Sequence, residues 1–108
     1  MAYERTVVIR HDHPSLAGHF PGHPVVPGVV LLDEVLRLVR ETSGSAQAVT
    51  GLPLVKFSSP LRPGEVVTIH LDLDGATGAA FSCRVETRLV ASGTIELSPV
   101  PAAPVERM

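Results

Sequence analysis

The segment from His19 to Arg40, H-F-P-G-H-P-V-V-P-G-V-V-L-L-D-E-V-L-R-L-V-R, constrains the fold more than any other stretch of this chain. Its first part cannot be regular structure. Pro21, Pro24 and Pro27 fix φ and remove three backbone donors, while Gly22 and Gly28 open backbone angles closed to other residues. After the Pro27-Gly28 break, Val29 to Glu41 contains no helix breaker and reads as a helix. Asp33, Arg37 and Arg40 fall on one edge of that helix, with Glu34 and Glu41 beside them. Leu31, Leu32, Val35, Leu36, Leu38 and Val39 cover the rest, an apolar arc wider than a surface helix needs, so the helix is expected to be mostly enclosed. A histidine ahead of a helix N-terminus and a carboxylate within its first turns form an arrangement that acid–base chemistry can use. The free N–H groups of Gly28 and Val29 are also suited to a developing negative charge.

The flanking segments say what encloses the helix. Thr6-Val7-Val8-Ile9, within Arg5 to Arg10, reads as a strand ended by His11-Asp12-His13-Pro14. Thr42-Ser43-Gly44 stops the helix, with Gly44 as its C-terminal cap. Gln47 to Phe57 reads as a strand interrupted at Gly51 and Pro53, which predicts a bulge or an edge position. Ser58-Ser59-Pro60 and Arg62-Pro63-Gly64 are turn chemistry. Val67, Ile69, Leu71 and Leu73 alternate with Thr68, His70 and Asp72, and Phe81, Cys83 and Val85 with Ser82, Arg84 and Glu86; each set is a half-buried strand. Residues 74–78 join those two strands as a hairpin loop, Glu86-Thr87-Arg88 makes the next turn without Gly or Asn, and Leu89 to Leu97 is the last strand. One strand, one enclosed helix and about four antiparallel strands make an α+β domain with a sheet wrapped around a helix. That domain is expected over residues 1–97, and the Pro/Ala-rich residues 98–108 as a disordered tail.

Composition removes several classes of function. At 108 residues the chain is one small domain, of a size that gains from association. A formal net charge of −2 without a basic stripe argues against nucleic acid or an anionic membrane as partner. One cysteine allows neither a disulfide framework nor a thiolate metal cluster. The absence of a signal-peptide pattern and of an apolar run of about 20 residues points to the cytosol.

Two blocks carry a family likeness. Gly18-His19-Phe20-Pro21-Gly22-His23-Pro24, followed by Val26-Pro27-Gly28-Val29 and Leu31-Leu32-Asp33-Glu34, resembles the signature of the FabA/FabZ-type 3-hydroxyacyl-acyl-carrier-protein dehydratases. Val55-Lys56-Phe57-Ser58-Ser59-Pro60-Leu61-Arg62-Pro63-Gly64-Glu65 resembles that family's R/K-F-x-x-P-x-x-P-G-D/E segment. In size the chain is similar to the compact, ApeI-like members of specialised fatty-acid and aryl-polyene pathways. The resemblance implies a hot-dog fold, a long central helix wrapped by a curved antiparallel sheet, and a homodimer with active sites at the subunit interface. It implies His19 as base, and Asp33, fourteen positions later, as acid from the other subunit. FabZ-like members usually carry Glu at the second position and FabA-like members Asp. Gly28 matches the glycine whose amide holds the thioester carbonyl; Val29 and Phe20 complete the expected substrate contacts.

Dehydration of a 3-hydroxyacyl thioester suits these residue types. It needs a base for a C2 proton, an acid for the departing hydroxyl and a donor for the enolate-like oxygen. A neutral imidazole is the natural base near neutral pH. An apolar channel disfavours the charged form of a carboxyl group, so part of it is protonated and able to donate. Loss of one oxyanion donor costs roughly 3–4 kcal/mol of barrier in enzymes that rely on it. No metal or organic cofactor is required, and an acyl carrier protein is the expected bearer of the substrate.

Blander readings exist for each residue. His19 could be a loop histidine bonded to backbone, and Asp33 could merely pair with Arg37 at i+4. Glu34 is the rival carboxylate, about 100° round the helix. His11, His13, His19 and His23 invite a zinc reading, but their spacing has no helical or hairpin logic. His23 is more readily a surface or carrier-protein contact. His70 is expected outward and solvated, and Cys83 inward in the core. Lys56, Arg62, Arg84 and Arg88 could meet an acidic carrier. Two rival functions share the fold: a non-catalytic acyl-thioester-binding subunit and an acyl thioesterase.

Overall fold

The computed structural model describes residues 1–16, 25–44, 47–74 and 77–99. The elements run β1 (Ala2–Val8), a short 3-10 turn (Pro14–Leu16), α1 (Gly28–Ser43), β2 (Gln47–Phe57), β3 (Val66–Asp74), β4 (Gly78–Val85) and β5 (Arg88–Pro99). The strands form one antiparallel sheet in the order β1-β3-β4-β5-β2. This is the expected α+β architecture. No helix among the described residues is long and apolar enough to cross a membrane.

The central strands follow the two-residue period of their sequence. Val67, Ile69 and Leu71 of β3 and Ala79, Phe81 and Cys83 of β4 point into the core, while His70, Asp72, Ala80 and Arg84 face out. Leu31, Val35, Leu38 and Val39 form one stripe of α1 and join the same core. Each such buried aliphatic side chain contributes roughly 1.5–3 kcal/mol. The helix closes neatly. Thr42 Oγ1 donates to the Leu38 carbonyl at 2.8 Å and Ser43 Oγ to that of Val39 at 2.7 Å, and Gly44 leaves with φ 74°.

Several boundaries differ from the sequence reading. β1 begins at Ala2 and ends at Val8, because Ala2 through Val8 pair without interruption against Asp72 through Val66. Pro14–Leu16 forms a short 3-10 turn after the strand. β5 continues past Leu97, with Ser98 opposite Ala48 and Pro99 opposite Gln47, so those two residues belong to the sheet rather than to a tail. The β4–β5 turn is the two-residue Glu86-Thr87, with Glu86 itself in the left-handed region at φ 55°.

Two irregularities shape the sheet. Between the β4–β5 pairs Cys83–Ala91 and Arg84–Leu89, Val90 is an extra residue, and both it and Ala91 are buried. β2 carries two extra residues against β5, one on either side of Gly51. The interruption expected at Gly51 and Pro53 is therefore both a bulge and an edge.

Candidate functional site

The N-terminus of α1 opens onto a cavity of about 510 Å³, a size usual for small-molecule sites. Its wall is built from three separate segments. Val26, Gly28, Val29 and Leu31 come from the start of the helix, Phe57 to Leu61 from the end of β2 and the following loop, and Val90 from the β5 bulge. Backbone hydrogen bonds hold these pieces in place. The Val26 N–H donates to the Leu61 carbonyl and the Ser58 N–H to that of Val90, both at 2.8 Å. Ser59 Oγ donates to the Leu89 carbonyl at 2.8 Å. The bulge thus turns Val90 into the wall and its carbonyl onto the loop.

Proline shapes the helix start. Pro27 occupies the N-cap with φ −58° and ψ 138°, and among the described residues no side-chain cap is made. Its carbonyl accepts from the Val30 N–H at 3.0 Å. The N–H groups of Gly28 and Val29 precede that first helical bond, at the positive end of the helix dipole. The two expected donors and the cavity therefore coincide.

The expected carboxylate lies elsewhere. Asp33 is five residues beyond Gly28, about 7.5 Å further along the axis. It is exposed, off the cavity wall, and its Oδ2 lies 3.6 Å from Arg37 Nη2. Glu34 is more enclosed and approaches the same guanidinium at 3.8 Å. Within one chain the structure brings Gly28 and Val29 to the cavity and leaves Asp33 outside it. His19 and Phe20 lie outside the described residues, as does His23.

The remaining candidates resolve individually. Cys83 is core: burial pushes its thiol up to about 12, so it is no nucleophile at neutral pH. His70 is exposed, with Nδ1 3.5 Å from Glu4 across the β1–β3 pair. Arg88 is committed internally, its Nη2 donating to Glu65 Oε2 at 2.7 Å. Glu65 Oε1 accepts the Arg62 N–H at 2.7 Å, and this bond, helped by Arg88, holds the Glu65 carboxyl below its usual range against the opposing effect of burial. Arg84 reaches the Thr87 carbonyl in its own hairpin, while Lys56 and Arg62 are exposed.

Sequence reasoning missed Phe57. A Cβ placed on Gly28 would lie 2.6 Å from Phe57 Cζ and 2.7 Å from Cε1, so the ring sits directly on the glycine. The Lys56-Phe57 pair in the second family block was the available signal, but its contact is with the first block, 29 residues away.

Among the described residues, one α-helix laid on a five-stranded antiparallel sheet of this order, with a cavity at the helix N-terminus, defines a hot-dog protein. Comparisons agree on the class. The chain superposes with a TM-score of 0.80 on the dehydratase heterocomplex ApeI:P from Xenorhabdus doucetiae, at 23% identity over 89% of this chain and 86% of that one. A probable thioesterase from Bartonella henselae shares the fold at TM-score 0.68 and 16% identity, covering 92% and 90%. Within the class, the family model of the ApeI-like dehydratases (ApeI dehydratase) matches residues 2–94. The 3-hydroxyacyl-acyl-carrier-protein dehydratase FabZ of Syntrophobacter fumaroxidans is 31% identical over 89% of this chain and 73% of its own length. The chain belongs to the ApeI-like dehydratase family, related to FabZ.

Proposed function

We propose that this protein dehydrates 3-hydroxyacyl thioesters, borne by an acyl carrier protein, to trans-2-enoyl thioesters in a fatty-acid or related polyene or polyketide pathway. The carrying observation is the helix N-terminus at Gly28, behind the N-cap Pro27, opening onto a mostly apolar cavity. Family membership supplies the chemistry. The thioester carbonyl oxygen accepts from the Gly28 N–H, which favours the charge that develops there. His19 Nε2 removes a proton from C2. The electron pair forms the C2=C3 double bond, and the C3 hydroxyl leaves as water with a proton from Asp33. Phe20 and Val29 border the chain.

Asp33 stands off the cavity of its own chain, which favours a site completed between two subunits, each giving its carboxyl to the other's cavity. The same observation supports a second reading, a non-catalytic acyl-thioester-binding subunit that pairs with a different hot-dog protein. The ApeI:P structure, a heterocomplex, keeps that reading open to test. Purified protein is assayed by mass spectrometry on a panel of 3-hydroxyacyl carrier-protein substrates, with light scattering for subunit number. Enoyl product from a homodimer is expected, falling about 10²–10⁴-fold in His19→Ala and in Asp33→Asn with the fold retained. Full turnover in His19→Ala would refute the assignment. A folded homodimer that turns over nothing alone, yet acts with a second hot-dog chain, would select the other reading; thiol release without enoyl product would mean a thioesterase.

A further inference from the structure

The geometry points to Phe57 as a specificity-determining residue that excludes substrates carrying a substituent on C2, the carbon next to the thioester carbonyl. This deepens the proposed function and rests on the Gly28 N–H holding that carbonyl.

The placement follows from helix geometry. In an α-helix the Cα–Cβ bond projects outward and tilts towards the N-terminus, the end from which the free N–H groups of the first turn also project. Gly28 has no Cβ, and the space a Cβ would take is already filled: Phe57 Cζ, Cε1 and Cε2 lie 2.6, 2.7 and 3.1 Å from it. The ring therefore stands beside the exit path of the Gly28 N–H. It is an exposed part of the lining, whereas Leu31, Leu61 and Val90 form the buried aliphatic part. A carbonyl oxygen on that N–H sets its own carbon and C2 against the ring edge, whereas the distal chain runs on towards the aliphatic wall.

Phe57 is also well fixed at its root. It is the last residue of β2, paired with Ala91 of β5, and the next residue, Ser58, donates its N–H to the Val90 carbonyl. Phe57 is 54% exposed and only the edge of its ring meets the glycine, so it limits the volume at C2 without sealing the cavity. Two hydrogens on C2 fit beside it; a methyl competes with it for space. One methyl in a tight apolar site discriminates by about 10–200-fold.

The test compares wild type with Phe57→Ala and Phe57→Leu on pairs of substrates differing only in a 2-methyl group. Two readouts are taken: kcat/KM for 3-hydroxyacyl thioesters, and the Kd of saturated acyl-pantetheine thioesters, which needs no turnover. Wild type is expected to favour the unbranched member at least 10-fold in both. Phe57→Ala is expected to bring the ratio to within about 3-fold of unity, with Phe57→Leu between them. Subunit number by light scattering is measured for each variant, and Phe57→Leu carries the comparison if Phe57→Ala alters assembly. A wild type indifferent to the methyl group, or an unchanged ratio in both variants, overturns the assignment of Phe57. Absent turnover with the binding ratio shifting as stated overturns the dehydratase reading and leaves Phe57 as the selector of acyl groups.

Discussion

The two edges of the sheet are built differently. β1 pairs with β3 in unbroken register, alternates exposed and half-buried residues along its whole length, and lays Glu4, Arg5 and Thr6 along the rim. Arg5 ties it to Glu41 at the end of the helix, and Glu4 to His70 on β3. β2, at the opposite edge, holds two extra residues, and Leu52, Leu54 and Phe57 are exposed. An edge dressed with charge resists further pairing, whereas one that shows aliphatic and aromatic side chains invites cover. Only the second edge reaches the cavity, through Phe57. The irregular edge is where the cavity lies, and the regular one closes the sheet.

The largest effect is expected where the irregular edge is allowed to exist at all. A Cβ on Gly93 would collide with the Leu54 backbone carbonyl and come 2.8 Å from Phe81 Cε1. The carbonyl is main chain and the ring is buried, so neither yields easily. Gly93→Ala is expected to destabilise the fold by about 3 kcal/mol, lowering Tm by roughly 10–20 °C. A change below a few degrees in a thermal melt would mean that β2 can shift away from β5 at little cost, and the contrast between the edges would be shallow.

That glycine also marks what could be read from the sequence. The regular parts were legible: α1 from its unbroken apolar run after Pro27-Gly28, and β3 and β4 from their two-residue alternation. These depend on local periodicity. The bulge at Val90 was not legible, because Leu89, Val90 and Ala91 are all apolar or small, and nothing in their order says that one of them lacks a partner on β4. The start of β1 was missed for the same kind of reason: Ala2, Tyr3 and Glu4 have no strand pattern of their own and are held by pairing with Asp72, Leu71 and His70. At the site, Gly28 and Val29 could be placed at a helix N-terminus from the prolines before them. Phe57 could not, since its contact with Gly28 depends on where the end of a bulged strand meets a helix. The position of Asp33 relative to the cavity is equally non-local, because one chain alone does not bring the two together.

The next effect tests whether the apolar edge is covered by another subunit. Leu54→Lys puts a charge on a side chain that is 46% exposed in the single chain, so the monomer itself should lose little stability. Thr6→Lys makes the matching change on β1, also at an exposed position. Self-association of Leu54→Lys, followed by sedimentation across a dilution series, is expected to weaken about 10-fold or more, since burying an unpaired charge is costly. Thr6→Lys should match wild type. Equal behaviour of the two variants would place the subunit contact away from β2.

The smallest effect concerns the clamp behind the cavity. Glu65 joins the loop that carries Leu61 to β5 by accepting from the Arg62 N–H and from Arg88. The pair is only partly enclosed, so Glu65→Gln is expected to cost about 1 kcal/mol at pH 7. The sign of the pH dependence follows from the depressed carboxyl of Glu65. A group more acidic in the folded chain than in the unfolded one stabilises the fold above the unfolded pKa, and that contribution fades as pH falls through the folded value. The Tm difference between wild type and Glu65→Gln should therefore hold constant from pH 7 to about 5 and shrink as pH falls below about 4. Because only the difference is read, the other carboxylates, including Glu41 held low by Arg5, cancel. A gap that persists unchanged at pH 3 would mean that the Gln variant loses packing rather than charge. The loop beside the cavity would then be held by the backbone bonds from Ser58 and Val26 rather than by Glu65.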